Sequence, residues 1–212
     1  MLYLCGSSRN PETSCTRFSN RTCLRDCALK KDELLAVARQ SATEARLEEL
    51  SASVTAIDVT ITELLPDHTA DVFQLYERIM LSLPHGFLAE RSVVEFQQIL
   101  SVPETSASVG AWRDGQLVAY VLYSARSGRM EHDSPVLSQL WKSGEPWLVS
   151  RGAGVDPEFR DMGIMAHLVE ARKALSKSKG FDHATFLIAR QHLVSLYAAL
   201  RSGSWLVGFE HD

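Results

Sequence analysis

The strongest hydrophobic-polar pattern in the chain lies between Trp147 and Gly180. Trp147, Leu148 and Val149 form an apolar run of strand character. A polar turn follows, spelled Gly154-Val155-Asp156-Pro157-Glu158-Phe159-Arg160-Asp161-Met162-Gly163-Ile164-Met165. Beyond it Ile164, Leu168, Ala171 and Leu175 recur at helical spacing, with His167, Glu170, Lys173 and Lys177 on the opposite side. Lys177, Lys179 and Gly180 give that helix a conventional C-terminus. The predicted order here is strand, turn, helix.

Upstream, Ile57, Val59 and Ile61 alternate with Asp58, Thr60 and Thr62, which predicts a half-buried strand opening a domain near Ala56. Pro66-Asp67 starts a helix with Val72, Phe73, Tyr76, Ile79, Met80 and Leu83 on one face, and Pro84-His85-Gly86 ends it. A shorter helix carries Val93, Val94, Phe96, Ile99 and Leu100. Val109 to Trp112 and Leu117 to Tyr123 flank Asp114-Gly115, the dipeptide of a tight hairpin turn. A long connection, Ser124 to Pro146, has room for a short helix after Ser134-Pro135. Downstream come a strand over His183 to Ala189, a helix marked by Leu193, Leu196, Tyr197 and Leu200, and a strand over Ser204 to Phe209. The expected class is α/β (α+β), with helices flanking a mixed, mostly antiparallel sheet.

The amino-terminal quarter reads differently. Residues 1–29 are rich in Ser, Thr, Asn, Arg and Cys without apolar periodicity, and are expected to form a disordered leader. Residues 30–52 favour a helix with a ragged apolar stripe. The domain proper is expected over 56–212. All four cysteines, Cys5, Cys15, Cys23 and Cys27, lie in the leader. Only Cys23 and Cys27 have the spacing of a zinc-ligand pair, so four unlinked thiols are expected rather than a metal site.

Composition narrows the partners. A 45% hydrophobic and 23% charged chain of 212 residues is that of a soluble globular protein. The net charge of −4 gives no basic face for nucleic acid. No apolar run approaches the roughly 20 residues that cross a bilayer. The start lacks the basic segment of a secretory signal, so a cytoplasmic location is expected. The seven histidines show no ligand spacing, and neither a nucleophile elbow nor a Walker sequence occurs.

Chemistry therefore centres on the turn. The first amides of a helix have no internal acceptor, and the helix dipole adds partial positive charge, so such a turn attracts phosphate oxygens. Gly163 lets a ligand approach the backbone. Val155, Pro157, Arg160 and Gly163 fit the pattern V-x-P-x-x-[RQ]-x-x-G-x-[GA], with Met165 in place of the final small residue. With the order β-α-α-β-β-β-α-β-α-β, residues 56 to 210 closely resemble the GNAT superfamily of acyl-coenzyme A-dependent N-acyltransferases.

That resemblance implies acetyl-coenzyme A as co-substrate, a small-molecule primary amine as acceptor, no metal, and room for a homodimer. It implies that the amides of Arg160, Asp161, Met162, Gly163, Ile164, Met165 and Ala166 cradle the pyrophosphate, with the Arg160 side chain shaping the loop. The backbone of Ala153, Gly154 and Val155 would pair with the pantetheine arm beside a bulge at which strands splay. Gly152 and Gly154 suit such a bulge, or merely relieve a bend. Many relatives carry a proton-donating tyrosine in the last helix. One register places Tyr197 there; another places Ala199 there and His192 at the family's asparagine. Tyr197 also fits a core position beside Leu193 and Leu200. No carboxylate occupies the strand where some relatives hold a base, and Glu131, His132, Asp133 and His85 read as loop and turn residues. Relatives follow the last helix with two strands, whereas Ser204 to Asp212 has room for one, leaving a sheet edge for a partner chain, the N-terminal helix or a loop to cover. A non-catalytic coenzyme A-binding module, or an enzyme using a longer acyl donor, stands as the alternative.

Overall fold

The computed structural model describes residues 2–7, 58–84, 88–125, 147–188, 195–196, 199 and 204–209. The elements are β1 (Leu2–Ser7), β2 (Thr60–Glu63), α1 (Thr69–Leu81), α2 (Val93–Leu100), β3 (Val109–Arg113), β4 (Gln116–Ala125), β5 (Trp147–Val155), α3 (Ile164–Ser178), β6 (His183–Ile188) and β7 (Trp205–Phe209). Two compact units form, one from Glu49–Ala125 with Leu148–Phe181, the other from the remaining residues.

In the first unit β2, β3, β4 and β5 make an antiparallel sheet in that order. The β3–β4 turn is made by Asp114 (φ 50°) and Gly115 (φ 77°), both left-handed, as the predicted hairpin requires. Side chains alternate across β4. Leu117, Tyr120 and Leu122 join the core with Leu64, Val72, Leu75, Tyr76 and Ile79 of the α1 region and Phe96 and Leu100 of α2. Tyr123 turns to the other face, where the Arg172 guanidinium of α3 lies 4.7 Å above its ring. Ile164 and Leu168, one turn apart on α3, are fully buried there.

Capping fixes the helix ends. Ser92 and Glu95 form a reciprocal capping box on α2, Ser92 Oγ accepting from the Glu95 amide and Glu95 Oε2 accepting from the Ser92 amide. Val93 and Val94, expected on the apolar face, are exposed, because the core takes Phe96 and Leu100. Just past α3, Lys179 Nζ donates to the Glu63 carboxylate, to Pro103 O at 2.6 Å and to Ser106 O at 2.9 Å. One ammonium thus ties the end of α3 to the end of β2 and the loop before β3.

The second unit corrects the sequence reading. Leu2–Ser7, expected within a disordered leader, forms β1 and pairs antiparallel with both β6 and β7. Its register runs from Leu2 opposite Ile188 to Ser7 opposite His183, and on the other side Leu2 opposes Phe209. The cause is non-local. Six residues carry too little periodicity to announce a strand, but two waiting strand edges satisfy their backbone groups. The gap expected for a partner, a helix or a loop is filled by the chain's own start. The expectations for the rest of residues 1–57, and for 126–146, lie outside the described residues.

Removing residues 1–7 leaves facing edges of β6 and β7 without their ladder bonds. The expected result is a lower thermal midpoint and faster amide exchange in β6 and β7, with β2–β4 spared. Unchanged exchange in β6 and β7 would show that β1 is dispensable.

Candidate functional site

The site grows from the end of β5. Its ladder with β4 shifts register between Leu122 and Tyr123, so that Leu122 opposes Gly152 while Tyr123 opposes Ser150. Arg151 is the extra residue of this bulge, and Gly152 beside it has φ 145°, a value that side chains rarely allow. The bulge expected from the two glycines is present, but they do different work. A Cβ on Gly154 would sit 2.5 Å from Ile79 Cδ1, so this glycine lets α1 press onto the sheet. A Cβ on Gly163 would meet nothing within 4 Å, so that glycine is required by its left-handed φ of 75° and faces open space.

Asp156 ends the strand and starts the turn. Its amide donates to Val118 O at 2.8 Å, and its carboxylate Oδ1 accepts from the Glu158 amide at 3.2 Å, capping the 3₁₀ turn Pro157–Phe159. Oδ2 accepts from Arg78 Nε of α1 at 2.9 Å, and Arg78 Nη2 donates to Leu117 O at 3.3 Å. The Asp156 side chain is 7% exposed and that of Arg78 38%. A second link lies one turn on: Arg160 Nη2 donates to Ser82 Oγ, at the end of α1, over 2.7 Å.

Between these clamps and α3 the backbone bends sharply. Arg160 is extended, Asp161 is left-handed at φ 62°, and Gly163 is left-handed at the N-cap of α3. No side chain caps the helix, and the amides of Met162 and Gly163 find no acceptor among the described residues. Ala166 N turns back to Gly163 O at 3.0 Å. Such a row of amides at a helix start is an anion-binding surface.

The structure brings the predicted loop residues together as one strand-turn-helix unit. Ala153, Arg160, Asp161 and Ala166 are exposed, and Val155, Met162, Gly163 and Met165 half-buried. Gly154 is buried, and Ile164 turns inward at 1% exposure, anchoring the first turn of α3. Tyr197, His192, His85, Glu131, His132 and Asp133 lie outside the described residues. Among the described residues no His, Cys, Asp and Glu group could hold a metal, and no helix is long and apolar enough to cross a membrane.

Sequence reasoning missed the Arg78–Asp156 pair and two neighbours of the bulge, Tyr120 and Arg151. Tyr120 is 2% exposed, its ring lies over Gly152 and Gly154, and burial pushes its hydroxyl pKa up. Arg151 is 8% exposed, its Nε donating to Ser124 Oγ at 2.7 Å and Nη2 to Ala125 O at 3.4 Å. A signal existed for Asp156, since Asp before Pro at a turn start is a capping pattern. None existed for its partner on α1.

Replacing Asp156 by Ala orphans the Glu158 amide and takes from the Arg78 guanidinium its ionic partner, and should cost about 1–3 kcal/mol. Asp156→Asn keeps an acceptor for the amide and should cost less. Urea unfolding of both variants checks the order; equal losses would mean that the cap contributes nothing.

Residues 71–201, more than half of the chain, match the model of the acetyltransferase (GNAT) family. Similar solved structures include an aminoglycoside acetyltransferase from an uncultured soil metagenomic sample, in complex with sisomicin. It is 15% identical, with a TM-score of 0.53, over 73% of this chain and 91% of that one. A structure of the same enzyme with trehalose gives 14%, 0.53, 73% and 91%. The ribosomal-protein-alanine N-acetyltransferase of Brucella melitensis biovar Abortus 2308 gives 16%, 0.46, 67% and 90%. No curated protein matches the sequence. On its family match, and with an antiparallel, helix-flanked fold like that of the aminoglycoside acetyltransferase, the chain belongs to the acetyltransferase (GNAT) family.

Proposed function

We propose that this family member is an N-acetyltransferase that moves an acetyl group from acetyl-coenzyme A directly to a primary amine of a small molecule. The observation that carries the reading is the loop from Asp156 to Gly163. It is clamped to α1 twice, bent by two left-handed residues, and ends in amides that have no acceptor among the described residues. A pyrophosphate supplies the oxygens such amides lack, and the helix dipole adds to the attraction. The open space beside Gly163 suits the close approach of that group to the backbone.

In the proposed reaction the amine nitrogen attacks the thioester carbonyl carbon. A C–N bond forms and the C–S bond breaks; the amine gives up a proton and the departing thiolate takes one. The backbone of Ala153 to Val155 holds the pantetheine arm so that the carbonyl lies near the bulge. Tyr197 is the proton donor to the thiolate, its role carried over from the family's last-helix tyrosine. The protein's own contribution is chiefly positioning and polarisation, since the thioester is already activated.

Acetyl-coenzyme A should raise the thermal midpoint, the stabilisation reaching about 2.7 kcal/mol at a hundred times the dissociation constant. Release of free thiol across an amine panel then reports turnover. No shift at millimolar cofactor would overturn the reading, and a shift without turnover of any amine would leave a coenzyme A-binding module. Tyr197→Phe should lower kcat most at high pH, where solvent is the poorer acid; an unchanged pH profile would remove it as donor.

A further inference from the structure

Two tyrosines stand in the core that α1 and α2 form with β4, and their hydroxyls fare differently. The Tyr76 hydroxyl donates to Ala89 O at 2.7 Å and accepts from the Arg91 amide at 2.9 Å. The Tyr120 hydroxyl makes no hydrogen bond among the described residues, although the residue is only 2% exposed. A buried polar group without a partner is uncommon, because nothing replaces the water it has lost. The Tyr120 oxygen is not one of the unpartnered side-chain atoms that are fully enclosed, so the little surface this residue keeps includes its hydroxyl. The glycines of β5 show where that end of the ring lies. A Cβ added at Gly152 would stand 3.8 Å from Tyr120 Cε2, and one at Gly154 would stand 3.6 Å from Cε1 and from Cζ. The atoms that carry and flank the hydroxyl, rather than the root of the ring, therefore lie over Gly152 and Gly154, beside the bulge.

The setting selects what can pair with this hydroxyl. Tyr120 shares its cluster with Leu75, Ile79, Phe96 and Leu122, and burial pushes its pKa up, so the proton stays on the oxygen. Handing that proton to a thiolate, whose thiol has an ordinary pKa of about 8.5, runs uphill. The group is thus a hydrogen-bond donor and not an acid. A permanently charged ligand group would have to shed its water in these apolar surroundings. A carbonyl enters at little cost and gains charge only as a nucleophile attacks it. In the proposed reaction the oxygen that gains charge is that of the thioester.

We propose that the Tyr120 hydroxyl is a catalytic hydrogen-bond donor to the thioester carbonyl oxygen. The inference rests on the acetyltransferase reading and adds a catalytic residue to it. As the amine nitrogen bonds to the carbonyl carbon, the π electron pair moves onto the oxygen and the Tyr120 hydrogen bond tightens without transfer of its proton. When the carbonyl re-forms, the C–S bond breaks and its electron pair leaves on sulfur, which takes a proton from Tyr197 as in the proposed reaction.

Tyr120→Phe tests this, because it removes the oxygen and keeps the ring that packs over Gly152 and Gly154. No described group is orphaned by the change, so the thermal midpoint should stay level or rise. The variant and the wild type are compared by thiol release from acetyl-coenzyme A with an amine that the wild type acetylates. Acetyl-coenzyme A labelled with a heavy isotope at the carbonyl carbon is also bound to each without amine, and its carbonyl band is read by difference infrared spectroscopy. The expected result is a kcat about a hundredfold lower in the variant. KM should change little, since the bond strengthens mainly in the transition state. The bound carbonyl band should lie below its solution frequency in the wild type and move back toward it in the variant. Equal kcat in the two proteins would overturn the proposal and leave the acetyltransferase standing. A lower kcat with an unmoved band would overturn it as well, as would a lower thermal midpoint, which would reveal a structural partner for the hydroxyl. Failure of the underlying reading looks different: the wild type itself then turns over no amine, and the catalytic role of Tyr120 falls with it.

Discussion

The loop at the heart of this protein depends on one ion pair, Arg78 to Asp156. Asp156 stands where three elements meet: its amide closes onto β4, its carboxylate caps the turn after β5, and its remaining oxygen takes the guanidinium of α1. The turn Pro157–Phe159 has a second, weaker hold on the sheet, the Arg113 guanidinium of β3 lying 5.5 Å from the centroid of the Phe159 ring. The pair is unevenly buried, at 7% for the carboxylate and 38% for the guanidinium. Only one charge has lost its water, and it is the one that also accepts a backbone hydrogen bond. The desolvation that makes many buried pairs a poor investment is thereby limited. The Arg160–Ser82 bond repeats the arrangement one turn later, so α1 holds the loop at two points.

That rigidity has a steric precondition. Ile79, one residue after Arg78, reaches the sheet only because position 154 has no side chain; a Cβ there would stand 2.5 Å from Ile79 Cδ1. A longer separation between α1 and β5 would stretch Arg78 away from Asp156 and Arg160 away from Ser82. Gly154 therefore acts on the loop through the helix, while Gly163 acts on it through its own backbone angle. The same residue type serves packing at one position and conformation at the other.

The elements most legible in the sequence were those specified by neighbours along the chain. The Asp114-Gly115 hairpin and the strand-turn-helix around Gly163 each carry their signal within a few residues. What escaped was specified across the chain. β1 is a strand because β6 and β7 offer two edges to it, which nothing in Leu2–Ser7 announces. Arg78 looked like any solvated residue on a helix, because its partner is 78 positions away. The glycines of the bulge were recognisable as glycines of a bulge, but the division between Gly152 and Gly154 depends on where Ile79 and Tyr120 come to rest.

The two sides of the proposed reaction also differ in how they use charge. On the proposed reading the donor side takes phosphate with backbone amides and a helix terminus, groups any sequence can supply once the turn is bent correctly. What this chain supplies for that is conformation: the left-handed Asp161 and Gly163, and the Asp156 clamp. An acceptor amine, by contrast, carries no group that all acceptors share, so side chains have to select it. A bulge in a sheet is thus more than a bend: by inserting one residue at Arg151 it shifts the register of β5 against β4, and it re-aims the backbone that runs on into the turn.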